Sequence, residues 1–380
     1  MTKKNNISST DTHKILNEAQ RIVFKIGSST LVDEQYNIRH NWLYAFAKDV
    51  AQLTKQGKEV IIVSSGSIAI GKPLLKLKPP LSLAQKQAAA SVGMGRLTQT
   101  YEQAFHDYNL PVGQVLLTLE DSEIRSRYLN ARNTILTLSK FGAIPIINEN
   151  DTVATDEIKV GDNDRLAARV AAMTSADLLV MLSDIDGLYT ANPRQDTNAQ
   201  HIPLIDKITS AIEHSAQGAG SDVGTGGMIT KIMAAKICME AGVSMILMNG
   251  NTPSPITRLQ SGERFSLFKS HKKVASARKT WIATSLKPMG EITINQGAEA
   301  ALKQGKSILC VGVIKTSGLF TKGDAIAIFN ENGLEIARGL INYNSEDTCK
   351  ITGLHSDEIE DILGYKNSDS LIHRDNLILF

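Results

Sequence analysis

The residues richest in potential chemistry lie in one run, NENDTVATDEIKVGDND from Asn148 to Asp164. There Asp151, Asp162 and Asp164 stand among the amides Asn148, Asn150 and Asn163 within 17 residues. Carboxylates and amides at this density suit recognition of a small polar molecule, because a carboxylate takes an ammonium group and an amide both donates and accepts. Three aspartates on one loop suit a metal equally well. The same residue types also favour Asx-turns and a helix N-cap at Asp162 or Asn163, and a capping carboxylate can still orient a ligand.

Four other stretches bear on anions. FKIGSST (24–30) sets Lys25 at the end of an apolar run before a Gly-Ser-Ser turn, offering a phosphate one cation and several N–H groups, though alone it also reads as a strand ending in a solvated lysine. SSGSIAIG (64–71) is a small-residue turn opening a helix, either an anion site or a Ser-capped turn. GAGSDVGTGGMITK (218–231) has five glycines within ten positions and a lysine, Lys231, one turn into the following helix. Its backbone donors can wrap phosphates while the lysine neutralises charge. It matches neither GxxxxGK[ST] nor GxGxxG, which disfavours P-loop and dinucleotide readings. SDIDGLYTANPR (183–194) leaves a strand with two aspartates and an Asp-Gly turn, which suits a nucleotide or ion contact and equally ordinary loop punctuation.

None of the eight histidines is paired with a nucleophile or spaced as HExxH. Phosphoryl transfer to a carboxylate needs no general base, because that acceptor is already ionised at neutral pH. Two lysines, two glycine-rich turns and a set of carboxylates suit such a reaction, in which the protein positions two anions and neutralises the moving charge.

These groups need elements to hold them. RIVFKIG (21–27), VIIV (60–63), VGQVLLTL (112–119), IPIIN (144–148), LLVMLSD (178–184) and SMILMNG (244–250) read as strands. Leu43, Phe46, Ala47, Val50 and Leu53 recur at helical spacing before Gly57; residues 83–105, Tyr128 to Phe141, and Asp164 to Met173 read as further helices. Strand–helix alternation predicts an α/β fold, a mainly parallel open sheet sandwiched by helices. From about residue 270 the texture changes to short strand candidates between glycine turns: EITIN, SILCVGV, DAIAIFN and EIARGLINY. The expected division is a mobile leader over 1–20, a catalytic domain over 21–270, a basic bridge over 271–285 and a small mainly-β domain over 286–380.

Composition sets outer bounds. The chain has 380 residues, 42% hydrophobic and 21% charged, with a net charge of +2, so no global field favours nucleic acid or an anionic membrane. Its three cysteines form no C-x-x-C, which argues against a disulfide framework or zinc knuckle. The polar start MTKKNNISSTDTHK lacks a signal-peptide core, and no apolar run approaches the ~20 residues of a membrane span. The expected setting is cytoplasmic, away from membranes.

The ordered set VFKIGSS, VSSGSIAIG, INENDTVATDEIKVGDND, SDIDGLYTANPR and GTGGMITK resembles the amino acid kinase superfamily, and within it the glutamate 5-kinases of proline biosynthesis. The tail beginning GEITINQGAEAAL resembles a PUA domain. The resemblance implies an amino acid kinase fold and ATP-dependent phosphorylation of the side-chain carboxylate of L-glutamate, with Mg2+ accompanying ATP. Carried over by position, Lys25 and Lys231 would stabilise the transferring phosphoryl group and Asp164 would hold those lysines. Ser65, Asp151 and Asn163 would bind glutamate, Asp151 at the ammonium and Asn163 at a carboxylate, with Asn148 and Asp162 in support. Lys25, Ser183, Asp184 and the run Thr225, Gly226, Gly227, Met228, Ile229, Thr230 and Lys231 would form the nucleotide site. No protein-bound metal is expected on the loop. Feedback inhibition by proline and a homo-oligomer, dimer or tetramer, are also implied. Ser183 stands where threonine is frequent, and Asn192 where aspartate is.

Two rivals remain. Another carboxylate kinase of the superfamily, such as an acetylglutamate kinase, would lack the β tail and the NENDxVA…GDND loop. An RNA-binding protein would suit a PUA-like tail, but residues 271–380 carry 13 Lys+Arg against 13 Asp+Glu, whereas phosphate-tracking surfaces are basic.

Overall fold

A computed structural model of the chain describes residues 9–153, 162–217, 227–272 and 288–380. Its internal contacts divide it into two compact units, Met1–Glu123 with Asn130–Val274, and Ile124–Leu129 with Ala275–Phe380.

Up to the acidic loop the elements run α1 (Ser9–Glu18), β1 (Arg21–Ile26), α2 (Ser28–Leu31), α3 (His40–Lys55), β2 (Glu59–Ser64), α4 (Ser67–Leu74), α5 (Leu83–His106), β3 (Val112–Leu117), α6 (Arg125–Lys140) and β4 (Ile144–Glu149). After it come α7 (Asp162–Thr174), β5 (Leu178–Ser183), β6 (Leu188–Tyr189), β7 (His201–Ile202), β8 (Leu204–Ile205), α8 (Ser210–Gln217), α9 (Met228–Glu240), β9 (Ser244–Asn249), α10 (Pro255–Gln260) and β10 (Phe265–Phe268). Eight strands form one sheet in the order β3-β4-β2-β1-β5-β9-β10-β8. The run from β3 to β9 is parallel; β10 pairs antiparallel with β9 and parallel with β8. This is the mainly parallel sheet expected from the alternation. Its β10 and β8 edge was not, since four- and two-residue strands leave no period to read.

Side-chain alternation along β1 sorts the sheet's two faces. Phe24 and Ile26 join Ile62, Val180 and Ile246 in a cluster with Phe46 and Val50 of α3 and Tyr101 of α5. Phe46 meets the Phe24 ring edge-on at 5.6 Å and stacks on Trp42 at 5.3 Å. Lys25 therefore points to the other face, where α7 contacts β1 and β5 and α9 packs on α7 and β9. Helices cover both faces, as buried parallel strands require.

α3 forms because Leu43, Phe46, Val50 and Leu53 make one buried stripe. It stops where Gly57 at φ 80° and Lys58 donate back to the Thr54 and Leu53 carbonyls, a Schellman closure. A Ser82–Gln85 capping box starts α5. α4 lies so close to α5 that a Cβ on Gly71 would fall 1.8 Å from the Ala89 carbonyl oxygen, and one on Gly93 1.8 Å from that of Ser67.

The expectation of a mobile leader over residues 1–20 does not hold from Ser9 onward. Ser9–Glu18 is helical, Leu16 and Ala19 are buried in the main core, and the Lys58 ammonium donates to the Asn17 and Ala19 carbonyls at 3.0 and 2.6 Å. Burial of two apolar side chains and a lysine-capped C-terminus anchor the segment.

The C-terminal unit holds β11 (Gly290–Ile294), α11 (Gln296–Lys303), β12 (Val313–Gly318), β13 (Ala325–Phe329), β14 (Glu335–Ile341), α12 (Ser345–Ile351), α13 (Ile359–Leu363) and β15 (Ile372–Leu379). Its five strands order as β12-β11-β13-β14-β15 over a core that includes Ile292, Ile326, Ile341, Tyr343 and Leu377. SILCVGV is not the strand it was expected to be. Only Ile308 bridges, to Ile372, Cys310–Gly312 is a 3-10 turn, and the strand starts at Val313. Ile308, Cys310 and Val313 are buried in the small core, whereas Leu309 and Val311 are exposed. Among the described residues, no helix is long and apolar enough to cross a membrane.

Candidate active site

Because β4, β2, β1, β5 and β9 are parallel neighbours, their C-terminal ends share one edge, with Ile26 opposite both Ser64 and Leu182, and Ser183 opposite Asn249. From β1 the chain builds outward through β2 to β4 and β3, then crosses back to β5 on the other side of β1. The crevice at such a reversal is where open α/β sheets take ligands. The ends of β1, β4 and β5 carry Lys25, Asn148 and Ser183 there, and the loops after β2, β4 and β5 carry Ser65, Asp151 and Asp184.

The centre is a buried triad. Lys25 Nζ lies 2.5 Å from Asp164 Oδ1, and Lys231 Nζ lies 3.2 Å from Asp164 Oδ2. Thr230 Oγ1 donates to that second oxygen at 2.8 Å and bonds the Gly227 carbonyl at 3.0 Å. Asp164 is 1% exposed, Lys25 7% and Lys231 8%. Burial pushes the Asp164 carboxyl upward, but Lys25 and Lys231 outweigh it and hold the group below the ordinary carboxylate range. The carboxylate stays ionised and lets two like charges share a small volume, leaving the three groups with a net charge of +1. A net cation in a poorly solvated crevice is what a polyphosphate chain requires.

Beside it lies a cluster of polar side chains. Asp151 is buried at the start of a 3-10 turn, and Ser67 Oγ donates to its Oδ2 at 3.3 Å. Asn148, also buried, accepts from the Glu149 N–H at 2.8 Å through Oδ1, donates to Met94 Sδ at 3.4 Å, and accepts from Asn163 Nδ2 at 3.4 Å. A backbone N–H requires an acceptor, so the orientation of the Asn148 amide is fixed, and that of Asn163 follows. Asn163 Oδ1 is left buried without a partner. Asn163 thus offers an acceptor here, where the sequence reading expected it to meet a carboxylate. Ser65 is half-buried, its backbone N–H tied to the Ile26 carbonyl at 3.1 Å. Asp162 begins α7, and its side chain lies outside the described residues.

Ser183 is buried at the end of β5 and donates to Asp184 Oδ1 at 3.1 Å; Arg194 approaches Asp184 Oδ2 at 3.6 Å. Gly227 precedes the first turn of α9, which holds Met228, Ile229 and Thr230 beside Lys231. Thr225 and Gly226 lie outside the described residues. Motif reading missed Ser67 and Arg194, although both fall inside motifs it singled out. It also missed Tyr101, whose hydroxyl meets Ser64 Oγ at 2.9 Å beneath the β2–α4 turn. Tyr101 carries no local signal, because its partner comes from another element.

A sheet reversal with a buried lysine–aspartate–lysine centre at the C-terminal ends of its strands defines a phosphotransferase of the amino acid kinase class. The amino acid kinase family profile matches residues 20–249, and the PUA domain profile residues 290–363. The chain is 50% identical over 361 residues to a glutamate 5-kinase of Bartonella henselae, covering 95% of each chain. It is 49% identical over 362 residues to one of Paramagnetospirillum magneticum, covering 95% of this chain and 98% of that one. It is 51% identical over 369 residues to one of Agrobacterium fabrum, covering 97% and 95%. The chain belongs to the amino acid kinase family, in its glutamate 5-kinase branch, and carries a C-terminal PUA domain.

Proposed function

We propose that this enzyme transfers the γ-phosphoryl group of ATP to the side-chain carboxylate of L-glutamate, giving L-glutamyl 5-phosphate and ADP, as the first step of proline biosynthesis in the cytoplasm. The observation that carries the reading is the pair of nearly buried lysines held on one ionised carboxylate, Asp164. A glutamate carboxylate oxygen attacks the γ-phosphorus as the bond to the β,γ-bridging oxygen breaks. Charge on the three equatorial oxygens falls to Lys25 and Lys231, and no proton moves at the acceptor.

Asp164 is a positioning residue in this scheme. Its oxygens are already engaged by Lys25, Lys231 and Thr230, so Mg2+ would be carried by the ATP phosphates rather than by this carboxylate. Asp151 and the open Asn163 Oδ1 are the acceptors for the substrate ammonium, with Asn148 holding Asn163; Ser65 and Asp162 complete the glutamate-binding set in this reading. Ser183, Asp184 and the Thr225–Lys231 stretch take the nucleotide. The reading also carries proline as a feedback inhibitor, a homo-oligomeric enzyme, and a structural or regulatory tail.

The test is ADP release with L-glutamate, with N-acetylglutamate and with no acceptor, each with and without proline. Release with glutamate alone, reduced by proline, is expected. Turnover of N-acetylglutamate but not glutamate would overturn the choice of acceptor.

A further inference from the structure

We infer that Ser67, two residues beyond Ser65, the motif position expected to bind glutamate, is a positioning residue for the acceptor amine, acting through Asp151. The inference rests on the proposed role of Asp151 and adds a residue to it. Ser67 is 3% exposed, and its Oγ donates to Asp151 Oδ2 at 3.3 Å.

Three constraints fix where that hydroxyl points. Ser67 opens α4 directly after Gly66, whose φ of 112° strains any residue with a Cβ. The turn is tethered from behind, by the Ser65 N–H on the Ile26 carbonyl and by Ser64 Oγ against the Tyr101 hydroxyl. From the side, Gly93 of α5 approaches until a Cβ there would touch the Ser67 carbonyl. The backbone at Ser67 therefore cannot swing, and its hydroxyl meets Asp151 from a fixed origin.

An ionised carboxylate only accepts, so the direction of this bond is settled, and a charged acceptor makes it stronger than a neutral pair. It ties together two loops that reach the cluster separately, the one after β2 and the one after β4. Without it the Asp151 carboxylate loses the donor that ties it to the β2–α4 turn before substrate arrives. The cost then appears in capture of the ammonium and not in phosphoryl transfer, because Ser67 touches neither Lys25, Lys231 nor Asp164.

The experiment is steady-state kinetics on the full-length enzyme with Ser67→Ala, Ser67→Cys, Asp151→Asn and the Ser67→Ala/Asp151→Asn double variant. Ser67→Ala should raise the glutamate KM on the order of tenfold, the size of one charge-assisted hydrogen bond, with the ATP KM and kcat within about twofold of wild type. Ser67→Cys, a weak donor of similar size, should fall between. In the Asp151→Asn background Ser67→Ala should add less than about twofold, because the two act on one interaction. An unchanged glutamate KM in Ser67→Ala, equal rises in both KM values, or full additivity in the double variant would each overturn the inference. If Asp151→Asn itself leaves the glutamate KM unchanged, the Asp151 assignment fails first, which separates the two claims.

Discussion

Lys25 and Lys231 stand on opposite oxygens of one buried carboxylate, at 2.5 and 3.2 Å from Asp164. One comes from the end of β1 and the other from the first turns of α9, so only the tertiary fold brings them together. Removing the shared anion should be worse than removing either cation, since it leaves two ammonium groups buried beside each other. Asp164→Asn is expected to cost about 3–5 kcal/mol of stability, the usual consequence of breaking a buried ion pair on one side. Urea unfolding against wild type measures it, with exposed Asp375→Asn as a control expected within about 0.5 kcal/mol. Unchanged midpoints in both variants would mean the triad is not held by charge.

Lys231→Ala and Asp151→Ala should separate by kinetic parameter. The lysine meets charge that develops as the phosphoryl group moves, so its loss should lower kcat by roughly 10²–10³. Asp151 meets the ammonium of the ground-state substrate, so its loss should mainly raise the glutamate KM. Initial rates across a grid of both substrates resolve the two. A glutamate KM untouched by Asp151→Ala would move the acceptor elsewhere in the crevice.

The parallel core was legible because each of its strands is a continuous apolar run, such as VIIV or LLVMLS, which only a strand covered on both faces tolerates. The short edge strand Phe265–Phe268 gave no such period. In the tail, apolar content misled. Within SILCVGV, Ile308 and Cys310 pack into the small core while Leu309 and Val311 stay exposed, and the edge strand is the polar VIKTSG that begins at its last residue, Val313. Lys25, Asp164 and Lys231 were visible as types in motifs, but their contact was not. Neither was Ser67 on Asp151, since a serine in a small-residue turn looks the same whether or not it has a distant partner. The orientation of Asn163 depends on Asn148 and the Glu149 N–H, a chain of contacts that no spacing encodes.

Two glycines on α5 should respond in opposite directions to the same substitution. A Cβ on Gly93 would sit 1.8 Å from the Ser67 carbonyl oxygen, whereas one on Gly95 meets nothing within 4 Å. Gly93→Ala should force α4 away from α5, destabilising the fold by about 1–3 kcal/mol or more and weakening glutamate binding through the displaced turn. Gly95→Ala should stabilise by about 0.5–1 kcal/mol through helix propensity. Thermal unfolding of both variants checks the pair; matching signs would contradict the close α4–α5 approach.

The depressed carboxyl of Asp164 makes a prediction about pH. Its ordinary value is 3.8, and the two lysines hold it lower in the folded chain against the opposing effect of burial. Linkage then has one sign: the stabilisation is complete above the unfolded value and is lost as pH falls through the folded one. The stability gap between wild type and Asp164→Asn should therefore stay constant from pH 8 to pH 5. It should begin to narrow only below about pH 4, where the unfolded carboxyl takes up its proton. Urea unfolding at a series of pH values, with the variant as reference, subtracts every other titrating group that the two proteins share. A gap already shrinking between pH 7 and pH 5 would place the Asp164 carboxyl above its ordinary value, meaning that desolvation had won over the two lysines.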